Sequence, residues 1–371
     1  MVSESEGQVG RLITPTVSVI VPARNEEASL GACLQSLVSQ RGVDYEIIVV
    51  DDGSTDRTRQ IAQSLAGVRV IEASSLAPGA TGKSNALACG AREARGQWLL
   101  FTDADTVHLP GSLAASLQEA QEHQAALLSY SPHQEVRGFW EKAVMPVVFA
   151  ELTRTYRTED INDPSSPAAA ANGQYLLIAR EAYDAVGGHA AVIRSLLEDV
   201  ELARAVKRSG RRIRFRYGGD RVRARMYRNV PQLREGWTKN LALLFHSPLR
   251  LAILRGGEFV LVAGGTVVAI VAAVRAEGVT AAVAGAVAAI TYAMFLRRIR
   301  RAHFAWDANL LALLGLPVFV SLLRASALSH KHGSVTWKGR TYGAASNSAT
   351  AGESSRFPAD ARNRDAAPGR I

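Results

Sequence analysis

Two apolar, β-branched runs in this sequence end in acids: "YEIIVVDD" closes on Asp51-Asp52, and "WLLFTDAD" closes on Asp103-Ala104-Asp105. A carboxylate at a strand end can accept hydrogen bonds from a nucleotide or hold a hard cation through oxygen. Mg2+ prefers one or two protein carboxylates and takes the rest of its shell from substrate phosphates, which an Asp-x-Asp can supply. One such pair alone looks like a solvated turn; two at the same edge of one sheet carry more weight. Lys83, in "APGATGKSNAL" (Ala77–Leu87), raises a separate option, a phosphate loop ahead of a helix. The strict pattern needs Gly where Ala77 stands. A loop of Ser, Ala, Pro and Gly also separates "VRVIEA" from Gly82, whereas a P-loop turns straight from strand into helix. A P-loop nucleotide hydrolase is therefore the minor alternative.

The elements that must hold these residues alternate. From Thr16 to Ser131, "VSVIVPA", "YEIIVVDD", "VRVIEA" and "QWLLFTDAD" read as strands, and the segments between and after them carry apolar residues at helical spacing. That succession predicts an α/β domain with a mainly parallel sheet, whose ligand belongs at the carboxyl ends of the strands. The two cysteines, Cys33 and Cys89, fall in helical segments and are too few for a disulfide framework, so reduced packing roles are expected.

The blocks "VSVIVPARNEE", "EIIVVDDGSTDRT", "GKSNAL", "FTDADT" and "LLEDVELARAVKRSG" together resemble the family 2 glycosyltransferases over roughly Val17 to Arg228. The resemblance implies the GT-A fold, a Rossmann-like, mainly parallel sheet, and a nucleoside-diphosphate sugar as donor, UDP-hexose above all. It places Pro22, Arg24 and Glu26 at the nucleotide base, Asp51 or Asp52 on the base, and Lys83 beside the donor. Asp103 and Asp105 become the pair that binds Mg2+ or Mn2+, with Asp105 coordinating directly. Glu198-Asp199 matches the acidic motif beneath the acceptor, with Asp199 as general base, and Gly173 and Gly187-Gly188 match loops bordering sugar and acceptor. Direct displacement by that family inverts the anomeric configuration.

Composition changes after Leu251. "FVLVAGGTVVAIVAAV" (Phe259–Val274) and "GVTAAVAGAVAAITYAMFL" (Gly278–Leu296) carry no charge and approach the length that spans a bilayer. Arg255 precedes the first and "RRIRR" follows the second, which by the positive-inside rule puts both flanks on the cytoplasmic side. A third run, "ANLLALLGLPVFVSLL" (Ala308–Leu323), is interrupted by Gly315 and Pro317 and either crosses or bends back as a re-entrant segment. The organisation expected is a disordered 1–14 without signal-peptide character, a catalytic domain at 15–250, membrane helices at 251–326, a juxtamembrane segment at 327–342 and a disordered tail at 343–371. The enzyme is expected at the cytoplasmic membrane, multi-pass, with its catalytic domain inside.

The formal net charge is +9, and Arg204 to Arg228 holds eleven Lys or Arg against one acid, Asp220. Such a patch suits lipid headgroups or a diphosphate; few aromatics accompany it, which argues against nucleic acid. "FWEKAVMPVVFAEL" (Phe139–Leu152) reads as a helix lying in a membrane interface or as a lid on the sheet. "RMYRNVPQLREGWTKNL" and "WKGRTY" resemble a membrane-associated subset of the family that includes carotenoid- and hopanoid-linked enzymes. The Gln-x-x-Arg-Trp motif of the processive synthases is missing, so a single sugar delivered to a lipid-soluble acceptor is favoured over the alternative, processive polysaccharide synthesis. Trp337, Lys338 and Arg340 are the candidates for acceptor or diphosphate contacts, which requires an even number of crossings.

Overall fold

A computed structural model describes residues 15–343; the expected disorder of 1–14, and of the tail beyond 343, lies outside the described residues. Strands β1 (Val17–Ala23), β2 (Tyr45–Asp51), β3 (Val68–Glu72) and β4 (Trp98–Phe101) are mutually parallel. Helix α1 (Leu30–Val38) follows β1, and α2 (Gly82–Glu93) follows β3. β5 (Leu127–Ser131), β6 (Leu176–Ala179) and β7 (Ile213–Tyr217) complete a seven-stranded sheet of order β3-β2-β1-β4-β6-β5-β7, in which only β6 runs antiparallel to its neighbours.

Strand alternation gives the sheet two cores. Ile48 and Val50 face α2 on one side, while Ile47 and Val49 pack with Leu30, Leu34 and Leu37 of α1 on the other. Burial on both faces explains why these strands read as nearly continuous apolar runs. The order reverses at β1, which has β2 on one side and β4 on the other. Crossovers leave in opposite directions there, so a crevice opens above the carboxyl ends of β1, β2 and β4. Register sets Ala23 opposite Asp51, so the acids after these strands share one edge.

A third core joins this domain to a helical region. It is built from α3 (Phe139–Thr155), α5 (Val230–Leu244) and three helices long and apolar enough to cross a membrane: α6 (Pro248–Val274), α7 (Gly278–Ala302) and α8 (Trp306–Lys331). Helix α4 (Glu198–Arg208) belongs to the catalytic domain. The buried Glu151 of α3 receives Arg255 of α6 at 2.9 Å and Arg298 of α7 at 3.2 Å, and Glu258 pairs with both arginines. This cluster of one buried and three half-buried charges ties the apolar helices to the domain, because removing any one would leave an uncompensated ion.

Two readings that the sequence left open narrow here. α8 is one continuous helix, not a segment broken or folded back at Gly315 and Pro317. Gly315 serves close packing instead: a side-chain carbon there would overlap the Ala143 carbonyl of α3. Nor does α3 lie free in an interface. Apart from Phe139 and Trp140, which are exposed, its apolar residues are mostly buried against α8 and the third core. The most apolar stretch of α8 is 39% buried, against 11% for α6 and α7, so α8 packs on the domain more extensively while the other two present their apolar faces outward.

Candidate active site

The crevice is a cavity of about 840 Å³. Pro22, Arg24 and Glu26 reach it from the end of β1, Asp52 from β2, Asp103 and Asp105 from β4, Lys83 from α2, and Glu198 and Asp199 from the first turn of α4. Gly173 and Gln174 enter from the loop before β6. Every site residue expected from the sequence lines this space except Asp51 and the Gly187-Gly188 pair. Asp51 turns away to accept the Ser54 backbone N–H at 3.2 Å. Gly187 and Gly188 take positive φ in a turn that packs on Tyr183, away from the cavity.

Lys83 organises the floor. Its ammonium lies 2.8 Å from Asp103 and 2.9 Å from Glu198. Burial alone would lower its pKa, but Asp103, Glu198 and Asp199 together hold it well above the ordinary lysine value. Thr81 caps α2 by accepting the Ser84 N–H at 3.2 Å, which fixes the turn carrying Lys83. Lys83 therefore neutralises two carboxylates and leaves two others without an ion pair.

Those two are Asp199 and Asp105. Asp199 accepts backbone N–H groups from Gly173 at 2.7 Å and Val200 at 2.8 Å. Burial and the neighbouring Glu198 raise its pKa to about 6, with Lys83 and the two amides pulling the other way. Asp105 receives the Gln174 side-chain amide at 3.3 Å and, more weakly, the Thr106 hydroxyl at 3.5 Å. Burial and the charges of Asp103 and Glu26 raise its pKa to about 7. An oxygen ligand crowded by like charge, with no cation of its own, is the donor set a hard divalent ion relieves. Among the described residues no three His, Cys, Asp or Glu side chains group to enclose a metal, so the remaining ligands of such an ion must come from elsewhere.

The "WKGRTY" segment folds as a hairpin, β8 (Val335–Trp337) and β9 (Arg340–Tyr342), and closes the cavity beside β1 and β2. Lys338 pairs with Glu26, Arg340 pairs with Asp52, and Arg24 donates to the Lys338 carbonyl at 3.4 Å. Gly82 leaves room for this pair, since a side-chain carbon there would displace the Arg340 guanidinium and the Asp52 carboxylate. Lys338 and Arg340 thus meet the acids expected at the nucleotide base. The other end of the cavity is apolar and aromatic, with Phe149, Leu152, Tyr156, Trp237 and Leu244 beside the third core. Sequence reasoning missed Gln174, although it adjoins Gly173, and Lys239, discussed below.

Fold and site together define an α/β domain of the nucleotide-sugar transferase type. Residues 18–199 match the family described as glycosyl transferase family 2, so the chain carries a domain of that family. It is 32% identical, over 232 residues, to the 4,4'-diaponeurosporenoate glycosyltransferase of Staphylococcus aureus (strain USA300), covering 61% of this chain and 60% of that protein. The chain thus aligns with about three-fifths of its curated relative's length. The mannosyltransferase of Pyrobaculum calidifontis, solved with GDP-Man and Mn2+, superposes with a TM-score of 0.50 over 86% of this chain and 87% of its own, at 20% identity. That likeness of fold covers more of the chain than the matched domain.

Proposed function

We propose that this chain is an inverting, metal-dependent glycosyltransferase. It moves one sugar from a nucleoside-diphosphate sugar, UDP-hexose above all, to a hydroxyl or carboxyl of a lipid-soluble acceptor at the membrane. The observation that carries this reading is one cavity joining Asp199 and Asp105, both free of ion pairs, to an apolar end beside the membrane helices. The 4,4'-diaponeurosporenoate enzyme, whose name specifies a carotenoid acid, supports an apolar acceptor of this kind.

Asp105 and Asp103 would hold Mg2+ or Mn2+, and the ion supplies charge neutralisation for the departing diphosphate. Asp52 and Glu26, with the hairpin, border the nucleotide. The acceptor oxygen attacks the anomeric carbon from the face opposite the phosphate. The sugar–phosphate C–O bond breaks with its electron pair leaving on the diphosphate, and the proton of a hydroxyl acceptor passes to Asp199. Gly173 and Val200 amides hold that carboxylate in position.

The same reading sets the topology. α8 is tied to the domain near both ends: Asp307 meets Lys142 at 2.6 Å, and Ser326 and His330 bond the backbone of α5. α6 and α7 then form the membrane hairpin, giving two crossings and leaving the β8–β9 hairpin on the cytoplasmic side with the site. The deciding experiment is hydrolysis of a panel of nucleotide sugars by the purified chain with and without Mg2+ or Mn2+. Cleavage of one donor only with the ion is expected; a preference for ATP over every nucleotide sugar would overturn the proposal.

A further inference from the structure

The charges lining the cavity can be paired off one by one. Lys83 lies between Asp103 and Glu198, Lys338 on Glu26, Arg340 on Asp52, and Arg225 on Glu141. Arg216 meets Glu119 and Asp220, while Arg24 and Arg228 donate to backbone carbonyls. Three lining carboxylates have no ion pair: Glu235 accepts the Lys338 backbone N–H at 3.0 Å, and Asp105 and Asp199 are the two that the reaction outlined above uses. One cation is left over as well, and that reaction gives it nothing to do.

That cation is Lys239, on the cavity wall formed by α5. Among the described residues its ammonium has no oxygen partner; it sits over the Trp337 ring, 4.9 Å from the centroid. An ammonium offers three donors, and an aromatic face satisfies its charge without using them. Burial lowers its pKa and Lys83 adds to that effect, while Glu198, Asp103 and Asp199 act against it. The ring partner belongs to the hairpin whose next residues meet Glu26 and Asp52. Lys239 thus touches the hairpin that meets the nucleotide-end acids and feels the charges of the Lys83–Asp103 floor.

We infer that Lys239 is a binding residue for the diphosphate oxyanion of the donor, held in place by Trp337. The inference rests on the nucleotide-sugar reading of the site and adds a leaving-group contact to it. When the sugar–phosphate bond breaks, the diphosphate gains negative charge, and an ammonium with no carboxylate at ion-pair distance strengthens its hold at that step. Trp337 is a positioning residue here: its ring orients the ammonium without touching substrate.

The test uses the full chain in detergent with Mn2+, titrated with UDP and with uridine, GDP and guanosine being run in parallel. Lys239→Met keeps the aliphatic stem and removes the charge. It should weaken nucleoside-diphosphate binding by about ten- to hundredfold, the loss expected for one hydrogen bond to a charged group, and leave the free nucleoside unchanged. Lys239→Arg should recover most of that loss, which a merely structural role would not produce. Equal diphosphate affinity in wild type and Lys239→Met overturns the inference. So does an effect confined to the KM of a carboxylate acceptor, which would assign the ammonium to the acceptor instead. If wild type binds neither diphosphate, the functional reading itself fails, and that result is distinct from wild type and variant binding alike.

Discussion

Asp199 and Gly173 meet through a backbone N–H donated to the carboxylate at 2.7 Å, and a side-chain carbon at position 173 would come within 3.4 Å of that same oxygen. The carboxylate and the loop in front of it are therefore built to one another's dimensions. Asp199→Asn keeps the size of the side chain and removes its basicity. With a hydroxyl acceptor, the variant should retain donor binding and lose transfer by ~10²–10⁴-fold, the usual contribution of a positioned base. Steady-state rates beside nucleotide titrations check this. Transfer close to the wild-type rate would remove Asp199 from that role.

The acid limb of the pH profile follows from the same carboxylate. Burial and Glu198 raise its pKa to about 6. A base works only when deprotonated, so at saturating Mn2+, which keeps Asp105 ionised, kcat/KM should be level above that value. It should fall about tenfold per pH unit below it, as one proton occupies the site. The folded-state pKa lies above the ordinary value of an aspartate, so ionised Asp199 also costs stability, and this group makes the fold more stable as pH drops through 6. Loss of activity at pH 5 with an unchanged or higher melting temperature separates titration of the site from acid unfolding.

Much of this site was legible because its chemistry sits where a parallel sheet must put it. The acids after β2 and β4 follow apolar runs that only a doubly covered sheet accommodates, and the strand order brings those ends together. The choice between Asp51 and Asp52 was open in the motif, and one step of chain turns the two side chains in different directions. Asp51 is the last residue of β2 and its carboxylate closes the turn onto Ser54, while Asp52, one residue on, faces the cavity. The fold-back of Arg340 onto Asp52 spans 288 positions and rests on tertiary packing, which no local pattern encodes. Gly315 and Pro317 misled for a related reason. Gly315 reads locally as a break, yet its role depends on the backbone of α3, 172 positions earlier, lying against it.

That contact makes a stability prediction. Gly315→Ala places a methyl group into the Ala143 carbonyl, and neither backbone can give way without parting α8 from α3. Overpacking of this kind costs roughly 1–3 kcal/mol, so the melting temperature in detergent should drop. Gly278→Ala, at the start of α7 with no atom close enough to meet the added carbon, should leave it unchanged. Equal melting temperatures for the two variants would mean that α8 does not pack on α3 as described.

The position of the hairpin decides how many times the chain crosses the membrane. Ser334 is exposed and lies one residue before β8, whose partner strand carries the Arg340 that meets Asp52. With α6 and α7 as the two crossings and α8 held along α3, a cysteine at position 334 belongs on the side of the catalytic domain. The native cysteines, Cys33 and Cys89, are both buried, so a membrane-impermeant thiol reagent should find little else to label. Ser334→Cys should react in inside-out vesicles and stay unlabelled in intact cells. Labelling from outside alone would require three crossings, and it would separate Trp337, Lys338 and Arg340 from the acids they meet here.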